Sequence, residues 1–451
     1  MVIWRRKARE RAATLWKWAV LAALRHPGCP ACGVAVQERE RFNYWFLMEM
    51  YHHPVLIPRM QAAYGLCPEH AAFLVAAKAG YRTAVMYEYL VEDALERIAA
   101  AEAALSGGGN RAGSRQRALA AARESLRPRD VCLGCEDERQ GVEFFLSDLG
   151  AKISQPDVMA LYQRSPGLCL PHFLQAAPLL AAAVVEWLAR GLLQRLEGPE
   201  RRALCGEPRE AAKVPALVST RLVEASGGEG CPLCRVAAED LGRFFSFFAK
   251  EGWHDGETLQ ALREGLGFCA KHMRTLAAAA SPEVVSTVSA EVDDAAVACL
   301  RQFLCASGAA PGGPVARLLW RRHLRVIRDR LAGRGCCLAC QRVAETEEAM
   351  AAEFVRALET EAVARRYEGG PGLCMRHFVA ALACEAAMPL RVLLRAQRER
   401  LLPLLRDLRE YLRKYGYHYR DEPRGAEQDA WLRALERFTG RAPEDGIGHR
   451  P

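Results

Sequence analysis

Gly28-Cys29-Pro30-Ala31-Cys32, followed downstream by Gly65-Leu66-Cys67-Pro68-Glu69-His70, decides the reading of this chain. A Cys-x-x-Cys pair leads to a Cys-x-x-His pair, and the combination recurs three more times. Cys132 and Cys135 precede Cys169 and His172; Cys231 and Cys234 precede Cys269 and His272; Cys337 and Cys340 precede Cys374 and His377. From second to third cysteine the gaps are 35, 34, 35 and 34 residues. Soft ligands repeated at nearly fixed spacing are what a buried metal ion requires.

The chemistry follows from the two half-motifs. Cys-x-x-Cys is read as a tight loop that sets two sulfurs on one side. Gly65, Gly167, Gly265 or Gly267, and Gly372 precede the second half, where a helix begins. A Cys and a His three apart lie on one helical face, and a helix N-terminus favours a thiolate. Three sulfurs and one nitrogen complete a tetrahedron, a common structural zinc composition. Four zinc sites are therefore expected. Iron–sulfur clusters on the same ligands are the alternative cofactor, although the commonest clusters use four cysteines. Covalent haem needs a histidine directly after the second cysteine, where Gly33, Glu136, Arg235 and Gln341 stand. No βαβ pattern surrounds the pairs, which argues against thioredoxin-like chemistry. In the fourth pair Cys336 competes with Cys337, and the spacing of the other sets selects Cys337.

Ligands are assigned within each repeat. The loop from Cys-x-x-Cys to its own Cys-x-x-His is about half as long as that from His70 to Cys132, and shorter loops close at lower entropic cost.

The first cysteines of successive pairs are 103, 99 and 106 residues apart, a period that signals internal duplication. Gly- and Pro-rich stretches lie between the repeats, as at Ser106-Gly107-Gly108-Gly109-Asn110 and Ser307-Gly308-Ala309-Ala310-Pro311-Gly312-Gly313-Pro314. The expected division is a first helical metal module at 1–105, a second at 116–197, a third at 208–305, a fourth with a C-terminal helix at 315–440, and a flexible tail at 441–451. Ala, Leu, Arg and Glu dominate the 451 residues and strand formers are sparse, so the fold class is all-α, with four tandem related modules and one Cys3His site in each. After each Cys-x-x-Cys a helix carries aromatics, among them Phe42, Tyr44, Trp45 and Phe46 in the first repeat and Phe244, Phe245, Phe247 and Phe248 in the third.

No uncharged apolar run is long enough to span a membrane, and Lys17 interrupts the only apolar stretch near the N-terminus. That stretch reads as a helix of the mature protein, and the expected location is cytoplasmic. The chain has 17 cysteines; twelve belong to the repeats, and Cys205, Cys299, Cys305, Cys336 and Cys384 remain, an odd count that argues against a disulfide framework. The formal charge of +8 falls to about +4 when twelve thiolates hold four divalent ions. Charge alone is then a weak argument for nucleic acid.

Two Arg-rich amphipathic stretches, 4–24 and 315–334, are the candidate contacts for nucleic acid, and each also reads as a solvated face packed on its own module. His52, His53, His254 and His418 lack partners in sequence. No phosphate loop, dinucleotide fingerprint, zinc-protease motif or nucleophile elbow is present, and no catalytic residue is assigned. The function read from these features is a zinc-stabilised scaffold or binding protein without catalysis, offering helical faces to a protein partner. An iron–sulfur electron carrier or redox sensor, and a nucleic-acid-binding protein, are the alternatives.

Beyond the last repeat stand Lys414-Tyr415-Gly416-Tyr417-His418-Tyr419-Arg420 and Asp429-Ala430-Trp431-Leu432-Arg433-Ala434, with a turn at Pro423 and a short helix expected from about Glu427 to Phe438. Together with the Cys-Pro-x-Cys pairs and the Gly-Leu-Cys-x-x-His-Phe elements, this aromatic-basic ending resembles an uncharacterised family of bacterial cysteine-rich proteins known only by a domain-of-unknown-function label. The resemblance implies a bacterial, cytosolic, helical protein and supplies no activity.

Overall fold

A computed structural model of the chain describes residues 19–107, 112–197, 230–307, 337–382, 387–419 and 421–440. Residues 4–18 and all of 315–334 of the two Arg-rich stretches, Cys205, Cys336, Cys384 and the 441–451 tail lie outside the described residues. Helices make up 80% of the structure and no strand occurs among the described residues, so the all-α expectation holds.

The same order of helices recurs four times. A long helix follows each Cys-x-x-Cys: α1 (Pro30–Trp45), α6 (Leu133–Lys152), α10 (Pro232–Lys250) and α14 (Leu338–Ala357). A short helix returns: α2 (Leu56–Ala63), α7 (Pro156–Arg164), α11 (Gly256–Gly265) and α15 (Glu361–Gly369). A second short helix starts at each Cys-x-x-His: α3 (Pro68–Ala76), α8 (Leu170–Ala176), α12 (Ala270–Ala279) and α16 (Met375–Leu382). A longer helix closes each set: α4 (Gly80–Ser106), α9 (Ala182–Leu196), α13 (Pro282–Ser307) and α17 (Ala387–Tyr415). Outside this order, among the described residues, stand α5 (Ala112–Leu126) and the terminal α18 (Ala430–Thr439), which follows a 3-10 turn at Ala426–Asp429, as well as a helical segment at 19–23. The last helix thus lies where the sequence expects it.

The chain folds into two compact units. The first comprises Met1–Glu40, Asp137–Lys213 and Arg243–Arg342; the second comprises Arg41–Glu136, Val214–Gly242 and Val343–Pro451. In the first unit Val142, Leu146, Leu149, Val158, Leu168, Leu188 and Leu300 contribute to a buried core. In the second, Tyr87, Leu90, Val91 and Ile98 of α4 meet Leu394, Leu401 and Leu408 of α17, with Phe438 of α18, in one core. The pairs Leu105–Arg391, Glu102–Arg398 and Glu88–Arg409 show that α4 and α17 run antiparallel. These rim contacts contribute little beside the apolar burial between the same helices.

A glycine in left-handed backbone precedes every Cys-x-x-His: Gly65, Gly167, Gly267 and Gly372 have φ of 91°, 70°, 91° and 76°. The choice between Gly265 and Gly267 thus falls on Gly267. A Cβ on Gly267 would lie 2.9 Å from Val292 Cγ2 of α13, so both the backbone turn and the close helix demand glycine. Gly267→Ala is expected to cost about 1–3 kcal/mol. Gly242 is exposed within α10, and a Cβ there would meet nothing within 4 Å, so Gly242→Ala is expected to stabilise by about 0.4–1 kcal/mol. Thermal denaturation of the two variants under identical metal loading measures both.

Candidate metal centres

Both half-motifs turn out to be helix N-termini. The backbone carbonyls of Cys67, Cys169, Cys269 and Cys374 each accept from the N–H four residues on, at 2.8 Å. Cys67, Cys169 and Cys269 share one extended conformation, with φ near −67° and ψ near 164°. The carbonyls of Cys29, Cys132, Cys231 and Cys337 do the same for Gly33, Glu136, Arg235 and Gln341, at 2.9–3.2 Å. The tight loop expected for Cys-x-x-Cys is therefore corrected: its first cysteine caps a helix and its second lies in that helix's first turn. Each centre joins two helix N-termini, whose dipoles direct positive charge towards the sulfurs.

All sixteen ligand candidates gather into four groups of three cysteines and one histidine, with the donor atoms of each group within 4.8 Å of one another. Their pairing differs from the expectation. Cys29 and Cys32 meet Cys169 and His172, while Cys132 and Cys135 meet Cys67 and His70. In the second half, Cys231 and Cys234 meet Cys374 and His377, while Cys337 and Cys340 meet Cys269 and His272. Each Cys-x-x-Cys is completed by a neighbouring repeat, so pairing within a repeat is overturned. The reason lies in helix length. At about 1.5 Å per residue the helix after each pair runs roughly 24–30 Å before α2, α7, α11 or α15 returns only about 12–15 Å. A rigid rod of that length leaves the repeat's own Cys-x-x-His well short of its start. Loop-closure entropy, which assumes a flexible chain, does not govern this choice.

The aromatic end of the rod serves the other centre of its own repeat. Phe42, near the end of α1, stands edge-on to the His70 ring with centroids 6.1 Å apart, and Phe245 of α10 packs on His272 at 6.0 Å. These rings hold the imidazoles in place, a role with no signature in the sequence.

The geometry is that of a small tetrahedron. Sulfur–sulfur distances are 3.9 Å for Cys32–Cys169, 3.6 Å for Cys67–Cys135, 3.7 Å for Cys234–Cys374 and 3.8 Å for Cys269–Cys340. In every group it is the histidine Nδ1 that faces the sulfurs, at 3.2–3.5 Å. Zinc bond lengths in a regular tetrahedron give about 3.8 Å between sulfurs and about 3.5 Å between sulfur and nitrogen. The residues fit one such ion per group.

Proton affinities in the four groups reflect donors crowded against one another. Hydrogen bonding with Cys169 draws the Cys29 thiol far below its ordinary range, and Cys135 does the same for Cys132. Cys231 is also lowered: burial opposes its ionisation, but hydrogen bonds from Cys234 and Cys374 prevail. Hydrogen bonding with Cys337 brings Cys269 down to about 3. Reciprocally, Cys169, Cys135, Cys374 and Cys337 are raised by the thiolates beside them. Burial disfavours the imidazolium of His70, His172 and His377, but bonding to the thiolates lifts them to about 10, 9 and 11. A divalent cation would replace these protons and allow all three sulfurs of a group to ionise.

The Cys231/Cys234/Cys374/His377 centre has a carboxylate behind its imidazole. His377 Nε2 lies 3.4 Å from Glu347 Oε1, and Glu347 is also paired with Arg376. A carboxylate behind a ligating imidazole fixes its orientation. Glu347 carries no motif, and only the packing of α14 against α16 reveals it. Cys337 is the ligand candidate of the fourth pair among the described residues. His52, His53, His254 and His418 join none of the four groups.

No helix among the described residues is long and apolar enough to cross a membrane. No curated protein and no solved structure matches the chain. Residues 222–445 match the model of a family of unknown function (DUF6062), and that span holds both centres built from Cys231, Cys234, Cys269, His272, Cys337, Cys340, Cys374 and His377.

Proposed function

We propose that the protein is a helical scaffold whose two units are each held by two zinc ions, and that it acts by offering helical faces to a partner protein. The observation that carries the reading is the fourfold Cys3His tetrahedron: each group supplies four protein donors, which is the closed coordination of structural zinc, whereas catalytic zinc keeps an open position. Donor atoms within 4.8 Å of one another enclose one ion. An iron–sulfur cluster needs room for at least two irons and their bridging sulfides, so the spacing favours zinc over a cluster. Exposed side chains at and just beyond the end of α1, Tyr44, Trp45 and Met48, supply apolar surface of the kind partner proteins use.

Anaerobically purified protein is expected to be colourless and to contain four zinc ions per chain by elemental analysis. Brown protein absorbing near 400 nm would replace this reading with an electron-transfer or redox-sensing one.

A further inference from the structure

The four centres differ in how they are covered. In three of them the second cysteine of the Cys-x-x-Cys is exposed: Cys32, Cys135 and Cys340. The fourth is closed. Cys231, Cys374 and His377 are 6%, 2% and 1% exposed, and Cys234 is half-buried. What covers it is the end of α18. Gly440 is buried, with φ of 76°, and a Cβ there would lie 2.8 Å from Cys234 Sγ and 3.3 Å from Cys374 Sγ. The helix is anchored so that it stays in place. Ala430, Ala434, Leu435 and Phe438 are buried in the core of the second unit. Arg437 donates to the Leu373 carbonyl at 3.0 Å, directly before Cys374.

Resting on the zinc reading, we infer that α18 and Gly440 form a lid that makes the Cys231/Cys234/Cys374/His377 ion kinetically inert, while the other three ions exchange with solvent-borne ligands. Removal of a tetrahedral zinc ion begins with a competing ligand or proton reaching a coordinating sulfur. Cys32, Cys135 and Cys340 are ligand residues exposed to solvent. At the fourth centre the backbone at the end of α18 occupies the approach, so local opening of that helix must come first. The Glu347 carboxylate behind His377 adds a further restraint, of a kind whose removal elsewhere costs about 10–100-fold in metal affinity.

The test uses the full, zinc-loaded chain with excess 4-(2-pyridylazo)resorcinol as the competing chelator. Three ions are expected in a fast phase and one in a phase slower by about tenfold or more. Peptide mapping after timed iodoacetamide treatment is expected to find, among the second cysteines of the four Cys-x-x-Cys pairs, Cys32, Cys135 and Cys340 labelled before Cys234. Gly440→Val, which pushes a side chain against Cys234 Sγ, is expected to move the fourth ion into the fast phase without altering the other three. If that variant does not fold, the labelling order of the unaltered protein decides. Release of four ions in one phase, or a slow ion mapped to other cysteines, overturns the lid and leaves the zinc reading intact. Fewer than four ions at the outset overturns the zinc reading itself.

Discussion

Replacing Cys29 and Cys169 together by serine is expected to remove one metal ion from the chain, and replacing Cys29 and Cys67 together to remove two. Cys29 and Cys169 belong to one tetrahedron, whereas Cys67 belongs to another with Cys132 and Cys135. Once one sulfur of a centre is lost, the second loss within it adds little, so the first pair is strongly non-additive in stability and the second close to additive. Pairing within a repeat gives the reverse counts, two ions lost and then one. Native mass spectrometry of the two double variants reads the number directly. The same comparison in the second half, Cys231 with Cys374 against Cys231 with Cys269, is expected to agree.

Removing the metal altogether is expected to abolish cooperative unfolding of both units. Apparent free energies of roughly 10–16 kcal/mol accompany binding at a structural zinc site, while a whole domain is ordinarily stable by about 5–15 kcal/mol. Each unit carries two centres, and every centre clamps helices from two repeats. Without the ion, three sulfurs and an imidazole stay crowded at 3.2–3.9 Å with no cation between them. Circular dichroism is expected to show a sharp thermal transition in the loaded protein and a broad, shallow one after chelation under reducing conditions, reversed by added zinc. A metal-free chain that melts as sharply as the loaded one would remove the ions from any structural role.

Metal loss at one centre also reveals how the repeats depend on one another. A loss at Cys67 alone is expected to loosen α3 and the start of α6 together, since His70 and Cys135 lie in the same centre. Limited proteolysis of Cys67→Ser is expected to give new cuts near both segments, and none near Cys269 and Cys340 of the first unit.

Much of this molecule is written in its local pattern. The ligand types, their three-residue spacing and the glycine two positions before each Cys-x-x-His follow from the stereochemistry of one helix turn, and a reader of the chain can find them. The short terminal helix and the break at Pro423 are legible for the same reason. Glu347 behind His377, Phe42 on His70 and Gly440 over Cys234 are not, because each contact joins residues far apart in sequence whose identities are unremarkable alone.

The chain by itself determined what each centre is made of: sulfur and imidazole at helix starts, a composition set by bonds and turns only a few residues long. Which half-motif meets which was decided by tertiary structure, because α1, α6, α10 and α14 are stiff and their length carries each repeat away from the point where it began. Sequence distance measures the reach of a flexible chain, and a helix has no such freedom.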